Sequence, residues 1–140
     1  MVDRFTVLVV DDELENRDFV ERALVRYFTV LKAESSVEAM EILRDNRVDV
    51  VVADQRMPEG TGVALLERLQ ELRPWVGRIL LTAYGDQEVL ADAINRARAD
   101  RYLAKPVDVK TLCSTVEAVL KLREAFSEED YTDGDPEPEC

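Results

Sequence analysis

Polar residues that could do chemistry follow four short apolar runs of the chain. Asp11 and Asp12 follow the first run, Asp54 follows another, and Thr82 and Lys105 follow two more. Three carboxylates that lie close together raise one another's pKa unless a cation lies among them. Hard oxygen ligands of this kind suit Mg²⁺, which binds one or two carboxylates and keeps several waters. The three aspartates are therefore candidate metal ligands.

Asp54 is also a candidate nucleophile, since an aspartate can attack phosphorus to give an acyl phosphate. A metal ion together with a lysine neutralises a phosphoryl group, so we expect Lys105 and Thr82 to bind phosphoryl oxygens. A backbone carbonyl near Arg56 could be the last protein ligand of the metal. Each residue also has a structural alternative: the aspartates could cap a helix or open a turn, the threonine could form a hydroxyl turn, and the lysine could be solvated.

The elements that must bring these residues together alternate between strand and helix. Short apolar runs bounded by polar residues predict strands, and apolar residues three or four apart predict helices. The predicted strands are Phe5–Val10, Thr29–Ala33, Val48–Ala53, Val76–Leu81 and Arg101–Ala104. Ser35 and Glu38 form a predicted capping box at the second helix, and Asp108 is predicted to cap the fifth. The residues predicted to face the core include Val20, Ala23, Leu24 and Tyr27 of the first helix, Gly62, Leu65, Leu66, Leu69 and Leu72 of the third, Leu90, Ala93, Ile94 and Ala97 of the fourth, and Val109, Leu112, Val116 and Val119 of the fifth.

This order of elements predicts the α/β class. The first, third and fourth strands are almost wholly apolar, which indicates burial on both faces of a parallel sheet. The second strand is more polar and is predicted to be an edge. Right-handed crossovers then give an open, doubly wound five-stranded sheet. Ligands of such sheets bind outside the carboxyl ends of the strands, so the carboxylates, the hydroxyl and the ammonium should meet there.

The charge of the chain is −12 in total, and seven acids without a base lie in the stretch from Ser127 to Cys140. Without those seven acids the charge is −5, and an acidic body without a basic stripe argues against nucleic-acid binding by this chain alone. We expect residues 127–140 to be a disordered acidic tail, since they have too little apolar surface to offset the entropy of ordering.

Composition excludes several other classes of protein. The chain has no histidine, which excludes histidine-based triads, HExxH zinc sites and histidine kinase activity on itself. Its two cysteines, Cys113 and Cys140, have neither CxxC nor metal spacing. The apolar run at the start is far shorter than the ~18 residues of a membrane span. We therefore expect a cytoplasmic protein without a membrane partner.

The sequence resembles the receiver domain of two-component response regulators. The matching segments are VLVVDDE, VVADQRMPEGTG, ILLTAYGD and RYLAKPVD, spread from Val7 to about Leu122. The joint pattern of Asp-Asp, Asp-x-x-Met-Pro-x-x-x-Gly, Thr-Ala and Lys-Pro is highly specific. The resemblance implies a flavodoxin-like (βα)5 sheet with strand order 2-1-3-4-5, formed by residues 1–126.

The resemblance also implies a function. Asp54 would be phosphorylated with Mg²⁺ by a sensor histidine kinase or a histidine phosphotransfer protein, and the only catalysis would be this self-catalysed transfer and autodephosphorylation. Thr82 would then move toward the phosphoryl group, and Tyr102 would turn inward as the second switch residue. The output would be a face of helix 4, strand 5 and helix 5 that binds a downstream protein, with a phosphorylation-dependent dimer as one form. The Lys105–Pro106 bond would be cis.

One position departs from the family pattern, and two other functions compete. Receivers commonly have glycine where this chain has Arg98, so Arg98 either adopts a left-handed conformation or shifts the end of the fourth helix.

An aspartate-dependent phosphatase would have an Asp-x-Asp motif, with a second acid two residues after the nucleophile, but Arg56 lies two residues after Asp54. A binding scaffold with a receiver fold that does not depend on phosphorylation is the other alternative.

Overall fold

The computed structural model describes residues 4–57, 60–83 and 85–123. Within these ranges strands and helices alternate five times, and the predicted strand ends differ from the observed ones by at most two residues. The strands are β1 (Thr6–Val10), β2 (Thr29–Ala33), β3 (Val50–Asp54), β4 (Gly77–Ala83) and β5 (Arg101–Lys105). The helices are α1 (Leu14–Leu24), α2 (Ser36–Asp45), α3 (Gly62–Leu72), α4 (Gln87–Asn95) and α5 (Val109–Arg123).

The five strands form one parallel sheet in the order β2-β1-β3-β4-β5, which confirms the expected flavodoxin-like topology. All residues of β3 are buried, as its apolar sequence predicts. In β2 only Ala33 is fully buried, and the strand is an edge, as its polar composition predicts. The order places β3 between β1 and β4, so the residues that end these three strands are neighbours.

The core has two layers because successive residues of a strand face opposite sides of the sheet. Leu8 and Val10 of β1 pack on the side covered by α2, α3 and α4. Val7 and Val9 pack on the other side, which α1 and α5 cover. The same alternation runs through β3 and β4, so the sheet is enclosed by helices on both faces.

Four residues predicted to face the core are exposed instead. They are Tyr27, Leu72, Ile94 and Val109, with 59%, 44%, 53% and 48% of their surfaces accessible. Tyr27 follows the end of α1, while the others lie in the first or last turn of their helices. The apolar periodicity continues into these terminal turns, but the sheet no longer covers them.

Side-chain caps fix the starts of α2 and α5 at the carboxyl edge of the sheet. Ser35 Oγ accepts a hydrogen bond of 3.1 Å from the Glu38 amide, as the predicted capping box requires. The Glu38 carboxylate accepts from the amide of Glu34, one residue before the usual position. Asp108 accepts from the Thr111 amide at 2.7 Å, which confirms the predicted cap of α5.

The junction between α4 and β5 contains Arg98 in a left-handed conformation, with φ of 48°. This confirms the first of the two expected conformations. The buried side chain of Arg78 in β4 donates hydrogen bonds to the carbonyls of Ala97 and Arg98. The Asp100 carboxylate accepts from the Arg78 amide and from Arg123 of α5. The junction is thereby tied to β4 and to the end of α5.

No helix in the described ranges is both long and apolar enough to cross a membrane. The predicted tail of residues 127–140 and the domain end at residue 126 lie outside the described residues.

Candidate functional site

The site lies at the carboxyl edge of the sheet, where the strand order brings the predicted residues together. Asp54 is the last residue of β3, Thr82 is the second-last of β4 and Lys105 is the last of β5. Asp11 and Asp12 follow β1, which pairs with the other side of β3. These residues therefore surround the end of the central strand.

The three aspartates form a compact acidic cluster. One carboxylate oxygen from each of Asp11, Asp12 and Asp54 lies within 4.8 Å of the others. Asp11 and Asp54 are only 1% and 4% exposed, and Asp12 is the more accessible member. Such proximity of buried like charges is unfavourable unless a cation lies among them.

Asp11 shows the electrostatic consequence. Its Oδ1 accepts a hydrogen bond of 2.9 Å from the Glu13 amide, while its buried Oδ2 has no partner among the described residues. Burial raises the pKa of the Asp11 carboxyl, and the charges of Asp54 and Asp12 add to this effect. The Glu13 amide and Lys105 oppose it. A free, buried carboxylate oxygen in an acidic cluster has the character of a cation ligand.

Asp54 is held at both of its oxygens. Lys105 Nζ forms an ion pair with Oδ1, and the backbone amide of Arg56 donates to Oδ2 at 3.1 Å. The Lys105 side chain is a third exposed, so it can contact a solvent-borne group as well as Asp54. Arg56 itself is exposed in the loop after β3.

The hydroxyl of Thr82 is buried and has no hydrogen-bond partner within the described part of the chain. Burying a hydroxyl without a partner costs free energy, so this position is explained better by a ligand than by packing. Tyr102 lies on β5 two residues before the partner of Thr82 in the β-ladder, and 43% of its surface is exposed. The Lys105–Pro106 bond is cis, as the resemblance implied.

The loop after Asp54 is closed tightly onto the start of α3. A Cβ atom at Gly62 would lie 2.5 Å from the Asp54 carbonyl oxygen and 2.7 Å from Leu80 Cδ1. Gln55 accepts from the amide of Gly62 through its carbonyl at 3.2 Å and from that of Val63 through its side chain at 2.9 Å. The sequence predicts that Gly62 lies on the core-facing side of the third helix, but not that the absence of a Cβ allows this close contact with Asp54 and Leu80. The spacing of a glycine eight residues after Asp54 is the sequence feature that could have indicated it.

An open cleft adjoins the acidic cluster. Asp12, Gln55, Arg56, Thr61 and Val89 contribute to its lining. It lies between the loop after β1, the loop after β3 and the start of α4, so the acidic cluster is open to solvent on this side.

Comparisons with known proteins agree with this geometry. The family model described as the response regulator receiver domain matches residues 7–117. The chain is 38% identical over 116 residues to the hydrogenase transcriptional regulatory protein HoxA of Cupriavidus necator, covering 83% of this chain and 24% of that protein. It is 34% identical over 127 residues to the response regulator protein PilR of Pseudomonas aeruginosa, covering 90% of this chain and 28% of that protein. The chain thus spans about a quarter of the length of these relatives.

Solved structures show the same similarity. A CheY-like response regulator receiver domain protein from Methanospirillum hungatei superposes with a TM-score of 0.82 and 27% identity, covering 88% of this chain and 98% of that one. A signal receiver domain of an HD domain-containing protein from Pseudomonas fluorescens gives a TM-score of 0.84 and 28% identity, covering 89% and 93% of the two chains.

Proposed function

This chain belongs to the response regulator receiver domains of two-component signalling, which interact with histidine kinases, and on that premise we propose that Asp54 accepts a phosphoryl group from a phosphohistidine of a partner protein. The observation that carries the proposal is the environment of the buried Asp54 carboxylate. Lys105 contacts one of its oxygens, and the carboxylates of Asp11 and Asp12 lie within 4.8 Å.

The residues present fit Mg²⁺ as the cofactor. Asp11, Asp12 and Asp54 would supply carboxylate oxygens, and the backbone carbonyl of Arg56 would be a further ligand. The unpartnered Oδ2 of Asp11 supports this assignment, because a cation would satisfy it and offset the repulsion in the cluster. When bound, Mg²⁺ neutralises charge on the carboxylates and on the phosphoryl oxygens.

The transfer itself needs few groups. A carboxylate oxygen of Asp54 attacks phosphorus, the new O–P bond forms as the N–P bond breaks, and the electron pair stays on the histidine nitrogen. Lys105 would shift from Asp54 toward a phosphoryl oxygen and balance its charge. The Thr82 hydroxyl would donate to another phosphoryl oxygen and gain the partner that it lacks among the described residues.

Thr82 and Tyr102 would pass the signal on. Movement of Thr82 toward the phosphoryl group vacates space beside β5, and the partly exposed ring of Tyr102 can turn into it. Phosphorylation would thereby shift the population between two arrangements of the α4–β5–α5 face. A downstream protein, or a second phosphorylated copy of this chain, would bind that face in the cytoplasm without a nucleic-acid or membrane contact by this chain.

We test the proposal by incubating the protein with acetyl phosphate and Mg²⁺ and measuring the intact mass. We expect one phosphoryl group on the wild type, none on Asp54→Asn, and none when EDTA removes the metal. Asp45→Asn is the matched control, since Asp45 is an exposed aspartate at the end of α2 and should label as the wild type does.

Two results would contradict the proposal. Label that persists on Asp54→Asn would place the acceptor elsewhere. A wild type that neither binds Mg²⁺ nor takes label would favour the binding scaffold that does not depend on phosphorylation.

A further inference from the structure

Arg17 on α1 has a contact that the proposed transfer does not use. Its Nη1 donates a hydrogen bond of 2.7 Å to the backbone carbonyl of Asp11. Its side chain is only 12% exposed, although arginine side chains are mostly exposed in proteins. The guanidinium therefore lies beneath the turn that carries two of the candidate metal ligands.

This contact completes a set of restraints on Asp11. The amide of Asp11 donates to the Ala33 carbonyl at 3.1 Å, and its Oδ1 accepts from the Glu13 amide at 2.9 Å. Arg17 holds the remaining backbone group, the carbonyl. Oδ2 is the one polar atom of Asp11 without a partner among the described residues. The residue is thus fixed so that a single free oxygen remains for a ligand.

An arginine suits this position better than other donors. Its planar guanidinium can direct one nitrogen to the Asp11 carbonyl and another to a carboxylate. Nη2 lies 3.8 Å from Oε2 of Glu34, which follows β2. Arg17 thereby joins the loop after β1 to the loop after β2. Glu34 also offsets the positive charge, which would otherwise oppose a cation in the adjacent cluster.

We propose that Arg17 is a positioning residue that sets the affinity of the acidic cluster for Mg²⁺. The proposal rests on the proposed function, because it assigns Arg17 to the same metal site. Groups that orient metal ligands from outside commonly change metal affinity about 10- to 100-fold when they are removed. Arg17 touches neither the phosphoryl group nor the metal in this scheme, so it acts on the metal site by holding the backbone of Asp11 in place.

The experiment compares Mg²⁺ binding to unphosphorylated wild type, Arg17→Met and Arg22→Met by isothermal titration calorimetry. Methionine keeps the apolar stem of the side chain and removes the donors. We expect Arg17→Met to weaken Mg²⁺ binding by about 10-fold or more. Arg22 is exposed on the same helix, so Arg22→Met should bind as the wild type does. Arg17→Lys should recover part of the affinity, since an ammonium can still donate to the carbonyl.

Phosphorylation of Asp54 gives a second readout. The rate for Arg17→Met should be low at limiting Mg²⁺ and approach the wild-type rate at saturating Mg²⁺, because the reacting groups are unchanged. A purely structural role would lower the free energy of unfolding and leave the Mg²⁺ affinity as it is, and that result overturns the proposal.

Other outcomes are also decisive. If Arg17→Met does not fold, NMR of the wild type takes its place. The guanidinium resonances of Arg17 should then shift on Mg²⁺ addition with the same midpoint as the amides of Asp12 and Glu13, and unchanged resonances contradict the proposal. If the wild type itself binds no Mg²⁺, the proposed function fails, whereas equal binding by wild type and Arg17→Met removes the role of Arg17 alone.

Discussion

At the scale of single residues, the candidate site concentrates groups that burial disfavours. Asp11, Asp54 and Thr82 are three of the four buried polar or charged residues in the described chain, and Arg78 is the fourth. Arg78 donates to several backbone carbonyls, whereas Asp11 and Thr82 each retain a buried oxygen without a partner in the described ranges. Groups of this kind cost stability, which is typical of a functional site rather than of a structural core.

Asp11 gives a prediction about the metal-free protein. Asp11→Asn should raise the free energy of unfolding of the metal-free protein at pH 7 by on the order of 1 kcal/mol, because asparagine removes a buried charge beside two like charges. The raised pKa of Asp11 means that the folded state binds this proton more readily than the unfolded chain does. The contribution of Asp11 to stability should therefore fall as the pH rises above the ordinary value of 3.8 and through the higher folded pKa.

Urea unfolding across pH, with and without Mg²⁺, measures this effect. The difference between wild type and Asp11→Asn should vanish at low pH, where Asp11 is protonated in both states. Mg²⁺ should stabilise the wild type and have little effect on the variant, because a ligand stabilises the state that binds it. A metal-free Asp11→Asn protein that is less stable than the wild type at pH 7 would show that the carboxylate is needed for folding.

The meeting of the candidate site residues at one edge of the sheet could be predicted from the sequence, but the contacts that support them could not. Asp11, Asp54 and Lys105 each lie at or next to the end of a strand, and the ends of parallel strands meet at one edge of the sheet. The contact of Arg17 depends instead on the direction of a long side chain. Sequence spacing places Arg17 on a helix but does not determine which carbonyl its guanidinium reaches.

At the scale of elements, strands could be predicted more reliably than the ends of helices. An apolar run marks the buried part of a strand, so the composition of β3 and β4 indicates their burial and gives their ends to within two residues. A helix extends beyond the part of the sheet on which it packs. Residues in its terminal turns, such as Ile94, continue the apolar periodicity but are exposed. The end of α4 is set by tertiary contacts, since Arg78 binds the carbonyls that follow it.

The α4–β5 junction gives a prediction about backbone strain. Arg98 has a φ of 48°, and a left-handed conformation costs an L-residue roughly 1–2 kcal/mol. Arg98→Gly should relieve this strain and raise the free energy of unfolding by about 0.5–1 kcal/mol, the remainder being lost to the greater freedom of glycine in the unfolded chain. The carbonyl at this position stays available to Arg78, because the substitution changes only the side chain.

Denaturant unfolding of wild type, Arg98→Gly and Arg98→Ala measures the strain. Alanine removes the exposed arginine side chain but keeps the Cβ atom, so Arg98→Ala should show no comparable gain. Equal stabilisation by alanine and glycine would assign the effect to the side chain. A loss of about 1 kcal/mol in Arg98→Gly, as for glycine within a helix, would show that the position is right-handed in solution.

At the scale of the whole molecule, the site and the end of the described chain lie at opposite edges of the sheet. The candidate site residues lie at the carboxyl ends of the strands. Arg123, the last described residue, contacts the Pro74 carbonyl before β4 and the Asp100 carboxylate before β5. The helix α5 between these edges has 15 residues and is therefore about 22 Å long.

This separation gives a prediction about residues 127–140. Their seven negative charges follow α5, and at physiological ionic strength the screening length is about 8 Å. The candidate site lies more than two screening lengths from Arg123, where the described chain ends, so we expect an anionic phosphodonor at the site to react at a similar rate without residues 127–140. We expect a chain that ends at Phe126 to take label on Asp54 from acetyl phosphate at a rate within about twofold of the full chain, since both core layers and the site remain.

The labelling rates of the two chains, measured at low salt and at 0.15 M salt, test this expectation. Loss of labelling in the shorter chain at both ionic strengths, with the circular dichroism spectrum of the described fold retained, would mean that residues 127–140 act on the site directly and not through their charge.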